Sequence, residues 1–325
     1  MPILLPIIKW CCCRRCRILK SDRIKKFLSG TVFLAIVSSL LWSSAFAGIK
    51  VGLSYHTPLQ FAGVRFVISG VALALYFRQW GRYWREVVDN WKYVCIVSLF
   101  QTTVQYALFY EALSLLPGAI AAMVSGSSPL FVTIVAHFAL RDDRLNMLKV
   151  GSIVLGITGV AIISFGRNQL TPGVSVSMLG ILYLLLDNTC AGYANVLVAK
   201  HRDRMNPVVL SSASLLVGGL GLLALSFPIE GWGLKAVSVE YGVALLWLSF
   251  LSAAAFAIWY TILQRPGVKV SDIAMWKFLI PVGGAVLSWL LLPDESPDLL
   301  SVVGMCIIMA SLLLHCYGGK KQSNN

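Results

Sequence analysis

The apolar residues of this chain are gathered into blocks of about 20, and this feature constrains the fold more than any other. A helix of roughly 20 apolar residues crosses the hydrocarbon core of a bilayer. Such runs are too long and too apolar for barrel strands, and lipid forces backbone groups to pair within each run. The blocks cover 30–50, 58–77, 92–113, 117–139, 147–165, 176–199, 207–228, 241–263, 273–292 and 300–317. The sequence therefore predicts an all-α membrane protein with ten transmembrane helices, here called spans 1 to 10.

Charged residues make up only 13% of the chain, and they lie mostly between the spans. Of the 27 Lys and Arg residues, 22 fall in the two tails and in the loops after spans 2, 4, 6 and 8, and 3 fall in the opposite loops. Positively charged loops stay in the cytoplasm. The count predicts a multi-pass protein of the inner (plasma) membrane with both termini cytoplasmic. Residues 1–29 form a basic tail and 318–325 a short C-terminal tail.

The net charge of +13 is explained by these loops, because basic residues at helix ends contact anionic lipid headgroups. No basic helix or aromatic–basic strand pattern indicates nucleic-acid binding. We therefore expect the lipid bilayer, and no nucleic acid, as a partner.

The two halves of the chain resemble each other. Segment 104–113 aligns with 254–263. The matched positions include Tyr110 with Tyr260, Pro129 with Pro281, and Asp142-Asp143 with Asp294-Glu295. Each half, 30–165 and 176–317, holds five spans, and because five is odd the second half enters the membrane from the opposite side. Inverted repeats around a central cavity are typical of alternating-access transporters.

A series of short motifs, in this order and spacing, resembles the EamA type of the drug/metabolite transporter superfamily. The motifs are Leu-Trp-Ser-Ser-Ala-Phe at 41–46, Arg65-Phe66, the segment 106–113, Ser-Ser-Pro-Leu-Phe at 127–131, and Asp143-Arg144-Leu145 before Gly151 and Gly156. The resemblance covers about 30–317. It implies a cavity lined by spans 1 to 4 and 6 to 9, and secondary transport, often outward, of small metabolites such as amino acids. Asp187-Asn188 and Lys277 depart from the family pattern.

Apart from charges close to span ends, such as Glu111, three charged residues lie inside spans, where each costs about 2.5–3.5 kcal/mol on insertion scales and needs a reason. Asp187, near the middle of span 6, is a proton carrier, a ligand for a substrate amine, or the structural partner of a basic residue. Arg65 of span 2 binds a substrate carboxylate or hydrogen-bonds carbonyls at a helix break. Lys277, about one turn into span 9, lines the cavity or reaches back to the headgroups.

Polar and aromatic residues complete the predicted cavity. Gln101 and Gln105 are one turn apart and share a face, and Asn188 shares a face with Asn195. The candidate aromatic walls of the cavity are Trp42, Tyr106, Tyr110, Trp259 and Tyr260, although Tyr110 and Tyr260, near span ends, are more typical of interface anchors. The predicted cavity residues are Trp42, Ser43, Arg65, Gln101, Gln105, Tyr106, Asp187, Asn188, Trp259 and Lys277. Pro129 and Pro281 interrupt corresponding helices and are predicted hinges.

These observations favour a secondary transporter of small molecules. The four His residues are dispersed, the crowded Cys11, Cys12, Cys13 and Cys16 have no nearby His, and no nucleotide-binding or zinc motif occurs. We therefore expect no catalytic residue, metal or cofactor. A membrane-embedded enzyme or a scaffold is the alternative. Proton coupling and a monomeric or homodimeric state are left open.

Overall fold

The computed structural model describes residues 30–116, 124–167, 177–234, 238–291 and 299–323. Every regular element in these ranges is helical. Several predicted features lie outside them: the basic N-terminal tail with its cysteine cluster, the beginning of span 4, and the Asp294-Glu295 pair.

The first half contains helices α1 to α8. Their bounds are α1 Thr31–Ser43, α2 Ala45–Leu53, α3 Pro58–Phe77, α4 Trp80–Asp89, α5 Trp91–Ser98, α6 Val104–Leu115, α7 Ser128–Ala139 and α8 Met147–Arg167. A π-helical turn, Leu99–Thr103, joins α5 to α6. Spans 1 and 3 are thus each built from two helices, and α4 is an amphipathic helix in a segment that the apolar pattern leaves as a loop.

The second half contains helices α9 to α14. Their bounds are α9 Met178–Lys200, α10 Pro207–Glu230, α11 Val239–Leu263, α12 Val270–Ala274, α13 Leu279–Leu291 and α14 Leu299–Ser323. A 3₁₀ turn, Met275–Phe278, separates α12 from α13. Span 9 is therefore irregular in its first third, close to Pro281.

Four of the described helices, α3, α9, α10 and α11, are long and apolar enough to cross a membrane. Shorter apolar helices cover Thr31–Ser43, Val124–Ala139, Met147–Ile162 and Leu299–His315. The all-helical, apolar character is that of a membrane protein, and the count of ten spans stays a prediction.

The long helices begin where the sequence supplies their caps. Pro58 opens α3 at a position where a helix needs no backbone donor. The Asn206 side chain accepts a hydrogen bond from the Val208 N–H at 2.9 Å, and Ser238 accepts one from Tyr241 N–H at 3.1 Å. These side chains satisfy backbone donors that a helix start leaves unpaired.

Helices of the two halves pack against each other in pairs. The pairs include α3 with α10, α8 with α14, α6 and α7 with α9, and α1 with α11 and α13. The α3–α10 crossing is so close that a Cβ on Gly219 would lie 2.9 Å from the Val67 nitrogen and 3.0 Å from the Gly63 oxygen. Glycine at this crossing allows the two backbones to touch, as is common in membrane helix pairs.

An ionic cluster links α8 and the loop before it to α12. Lys149 Nζ lies 2.8 Å from Asp143 Oδ1 and 3.1 Å from Asp272 Oδ1. Asp143 also accepts hydrogen bonds from the backbone and the side chain of Ser271. His315 of α14 lies 3.5 Å from Asp272. The cluster joins elements of both halves at one end of the bundle.

Candidate functional site

Three charged side chains from both halves are gathered inside the helix bundle. Arg65 of α3 is 3% exposed and Asp187 of α9 is 4% exposed, while Lys277 of the 3₁₀ turn is half-buried. A charge held away from water is costly unless it is paired or serves a ligand. The partners of each charge therefore decide what the site does.

Arg65 is held by aromatic rings rather than by acids. Its guanidinium carbon lies 4.5 Å from the ring centre of Phe66 and 5.5 Å from that of Tyr106. These two rings meet edge to face, with their centres 4.6 Å apart. Among the described residues, Nε and Nη1 of Arg65 have no hydrogen-bond partner. The stacking orients the guanidinium and leaves two donors for a ligand.

Asp187 faces the amide pair of span 3. The Gln101 side chain donates a hydrogen bond to Gln105 Oε1 at 2.8 Å, so the two amides meet on one face. The Gln105 side chain lies beside Asp187. Within the described part of the chain, Asp187 Oδ1 and Gln101 Oε1 find no donor. Spans 3 and 6 thus each add an unfilled acceptor to the unfilled donors of Arg65.

Lys277 lies against two tryptophan rings within the bundle. Its ammonium nitrogen lies 4.9 Å from the ring centre of Trp259 and 5.6 Å from that of Trp42. Its charge interacts with that of Asp187, although none of the ion pairs between described residues joins the two side chains. The 3₁₀ turn therefore presents a cation to two tryptophans and, at longer range, to one carboxylate.

Asn195 is a site residue that the prediction leaves out. It accepts a hydrogen bond from the Trp259 indole N–H at 3.0 Å and is fully buried. Its own amide nitrogen has no partner among the described residues. The signal was its seven-residue spacing from Asn188 on one face of span 6.

Asn188 and Ser43 are buried as predicted cavity residues, but their hydrogen bonds go to helix backbones. Asn188 donates to the Val124 carbonyl at 2.8 Å, where the helix of span 4 is interrupted before Pro129. The Ser43 hydroxyl donates to the Leu40 carbonyl at 2.7 Å. These two residues therefore support helix contacts beside the charged groups.

Tyr110 and Tyr260 correct one expectation from the sequence. Both are buried, at 4% and 0% exposure, whereas an interface anchor would present its ring at a membrane surface. Tyr110 belongs to the aromatic group around Phe109, and Tyr260 packs edge to face on Phe256. Their position near span ends suggested the membrane surface, whereas contacts with rings elsewhere in the bundle decide where they lie.

The described residues contain no group of three His, Cys, Asp or Glu side chains that would hold a metal ion. The groups that the site presents are two cations (Arg65 and Lys277), one carboxylate (Asp187), three amides (Gln101, Gln105 and Asn195) and several aromatic rings. Such a mixture suits a small molecule that carries opposite charges and an apolar part.

Comparison with known proteins gives consistent matches over nearly the whole chain. The family model described as "EamA-like transporter family" matches residues 29–165 and 178–317. The uncharacterized transporter YoaV of Bacillus subtilis (strain 168) is 26% identical over 287 residues, which cover 88% of this chain and 94% of that protein.

A further relative is called "Probable amino-acid metabolite efflux pump" in Escherichia coli (strain K12). It is 25% identical over 295 residues, covering 88% of this chain and 94% of that protein. A solved crystal structure superposes with a TM-score of 0.72 at 19% identity, covering 90% of this chain and 99% of that one. At that identity the superposition speaks for a shared fold.

Proposed function

The chain belongs to the EamA-like transporter family, and from this premise we propose that it is a secondary transporter that exports small organic metabolites, such as amino acids or related compounds, across the inner membrane. The relatives are called transporters, and two of them, from Escherichia coli and Salmonella typhimurium, are called probable amino-acid metabolite efflux pumps. These names supply the substrate class of the proposal.

The observation that carries the proposal is the set of unfilled hydrogen-bonding groups around Arg65 and Asp187. Arg65 offers two buried donors, which suit a carboxylate, and Asp187 offers an acceptor, which suits an amine. Buried polar groups that lack a partner are costly, so their presence indicates a ligand or a moving part. An α-amino acid carries both complementary groups, an ammonium and a carboxylate, on the same carbon atom.

We further propose that the ten spans form two inverted repeats that exchange conformations. The helix pairing supports this. If each span of one half is exchanged with its counterpart in the other, the pair α3–α10 maps onto itself, and so does α8–α14. The pair α6–α9 maps onto α11–α1, and α7–α9 maps onto α13–α1. A pseudo-two-fold arrangement of this kind is expected for alternating access, with Pro129 and Pro281 near the moving breaks.

Proton coupling is the proposed driving force, with Asp187 as the proton carrier. A carboxylate inside the bundle, opposite Lys277, is placed to bind a proton or an amine in turn. Binding of a substrate amine and binding of a proton at Asp187 would therefore exclude each other, which couples the two.

Transport by purified protein in proteoliposomes tests the proposal. Vesicles loaded with a mixture of radiolabelled amino acids and amino-acid derivatives are assayed for efflux, with and without a pH gradient. Asp187→Asn is expected to abolish acceleration by the gradient. Asp203→Asn, which changes an exposed acid in the loop after span 6, serves as the matched control and retains it. Normal pH-coupled transport by Asp187→Asn removes the proton assignment, and absence of transport of any compound contradicts the proposed function.

A further inference from the structure

Two tryptophans from different halves of the chain form a rigid angle inside the bundle, here called the tryptophan corner (Trp42 and Trp259). Their ring centres are 5.3 Å apart and the rings are inclined at 65°. Trp259 is 1% exposed and is fixed by its hydrogen bond to Asn195. Phe256 meets Trp42 edge to face at 5.7 Å. The corner is therefore held in place without any help from Lys277.

The tryptophan corner has the chemistry of a cation site. Tryptophan is the ring that attracts cations most strongly, and aromatic corners and cages recognise ammonium groups. Lys277 Nζ, at 4.9 Å and 5.6 Å from the two ring centres, is within the range of a favourable cation–π interaction with both. The negative charge of Asp187 interacts with the Lys277 ammonium group that lies at this corner.

We propose that the tryptophan corner binds an ammonium group of the transported molecule, and that Lys277 is a tethered substitute that occupies the corner when that molecule is absent. This inference rests on the proposed transport function. A second cation cannot bind the corner beside Lys277, because two like charges in a buried site repel each other. The ligand therefore displaces the lysine ammonium, and the lysine acts as a built-in competitor.

The position of Asp187 supports displacement rather than a permanent ion pair. Asp187 interacts with Lys277 at a distance, and its Oδ1 has no hydrogen-bond partner among the described residues. A lysine kept only to neutralise this carboxylate would be expected to contact it directly, as Lys149 contacts Asp143 at 2.8 Å. Lys277 instead lies against the rings, which leaves Asp187 available to a ligand. The remaining cation of the site, Arg65, lies against Phe66 and Tyr106.

A tethered cation has a direct consequence for binding. The apparent affinity for an ammonium ligand is lowered by the fraction of time for which Lys277 occupies the corner. Removing the lysine charge while keeping the length of the side chain should therefore tighten the binding of ammonium compounds. It should not tighten the binding of neutral compounds of the same shape.

The test is a titration of purified protein in nanodiscs with tetramethylammonium chloride, with sodium chloride and neutral tert-butanol as reference solutes. We expect Lys277→Met to bind tetramethylammonium at least about tenfold more tightly than the wild-type protein. Lys92→Met is the matched control, because Lys92 also lies over a tryptophan, 5.6 Å from the ring of Trp91, but near the surface of the bundle. It should leave the affinity unchanged.

The double variant Lys277→Met with Trp259→Leu should lose the gain. The proposal is overturned if Lys277→Met binds no more tightly than wild type, if Lys92→Met gains equally, or if the gain survives the loss of Trp259. Lys277→Gln replaces the Met variant in the same titration if the latter does not fold. Because this readout is binding, its failure is distinct from a failure of transport in proteoliposomes.

A second measurement uses the wild-type protein and needs no variant. Lysines are acetylated briefly with acetic anhydride, and the modified fraction at Lys277 and at Lys92 is read by mass spectrometry. Saturating tetramethylammonium should increase the labelling of Lys277, because the displaced ammonium leaves the tryptophan corner, while that of Lys92 stays constant. Labelling of Lys277 that does not respond to tetramethylammonium contradicts displacement.

Discussion

Lys149 and Asp143 form a buried ion pair, with 2.8 Å between Nζ and Oδ1 and side-chain exposures of 8% and 3%. Ser271 donates hydrogen bonds to Asp143 from both its backbone and its hydroxyl group, so the pair ties the loop before α8 to the start of span 9. Span 9 carries the 3₁₀ turn and Lys277. The ion pair therefore anchors the segment that delivers a charge to the candidate site.

Lys149→Met is predicted to destabilise the protein strongly. Removing one partner of a buried pair leaves Asp143 as an uncompensated charge, at a cost of about 3–5 kcal/mol. The free energy of unfolding in mixed detergent micelles measures the loss. Arg82→Met is the control, because it removes an exposed Arg82–Glu86 pair at 2.7 Å and should cost less than about 1 kcal/mol.

The double variant Lys149→Met with Asp143→Asn separates the charge effect from lost packing. It should be more stable than Lys149→Met alone, because it no longer buries an unpaired carboxylate. Equal stability of the two variants would show that packing, rather than charge, dominates at this position.

Stability should also depend on the protonation of His56, which lies between spans 1 and 2. Burial lowers the pKa of His56, against the opposing effects of its hydrogen bond to Gln60 and the charge of Glu230. The unfolded chain therefore binds this proton at a higher pH than the folded protein does. The contribution of the neutral His56 side chain to stability is complete above the pKa of about 6.5 that this imidazole has in the unfolded chain. It decreases as the pH falls below that value.

We expect the apparent Tm to decrease as the pH is lowered from about 7.5 to about 5.5. His56 contacts the Tyr241 hydroxyl at 2.9 Å through Nδ1, so its protonation also disturbs a contact between the two halves. His56→Gln should reduce the difference in Tm between the two pH values. If the variant keeps the full wild-type difference, other groups account for it.

The contact between α3 and α10 gives a prediction about packing. Gly219→Ala should lower the free energy of unfolding by about 1–3 kcal/mol, because the added Cβ would meet the backbone of α3 at Val67 and Gly63. Gly151→Ala is the matched control, since a Cβ there meets nothing within 4 Å. The control should unfold at the same denaturant concentration as wild type or at a slightly higher one. Equal losses in both variants would contradict the close contact.

The helical class and the positions of most helices are predictable from the sequence, because apolar blocks and their polar gaps are a local signal. The shared face of Gln101 and Gln105 is equally local and is confirmed by their hydrogen bond. The helix α4 is missed, because its Trp80 and Trp84 are separated by Arg82 and the segment reads as a charged loop.

The charged site is harder to predict, since it depends on contacts between distant parts of the chain. Met275–Phe278 contains neither Gly nor Pro and lies within the apolar block of span 9, so its sequence does not indicate the 3₁₀ turn. Whether Lys277 reaches outward or inward is decided by Trp42 and Trp259, which come from two other spans. The role of Asn195 is likewise visible only once Trp259 is placed beside it.

Arg65→Lys tests the proposed recognition of a carboxylate. A lysine keeps the positive charge but has no planar fork of donors and does not stack in the same way on Phe66 and Tyr106. For an amino acid shown to be transported, we expect the Kd to rise by at least about tenfold. The Kd of the corresponding amino-acid amide, which has no carboxylate, should change little.

The comparison of acid with amide distinguishes recognition from a structural role. If Arg65 only holds α3 and α6 together, the substitution should weaken the binding of both compounds alike, because the whole site is deformed. A selective loss for the acid can arise only where the guanidinium meets the carboxylate itself. Arg82→Lys, at an exposed position in α4, should leave both Kd values unchanged, and calorimetric titration of each variant in nanodiscs provides the measurement.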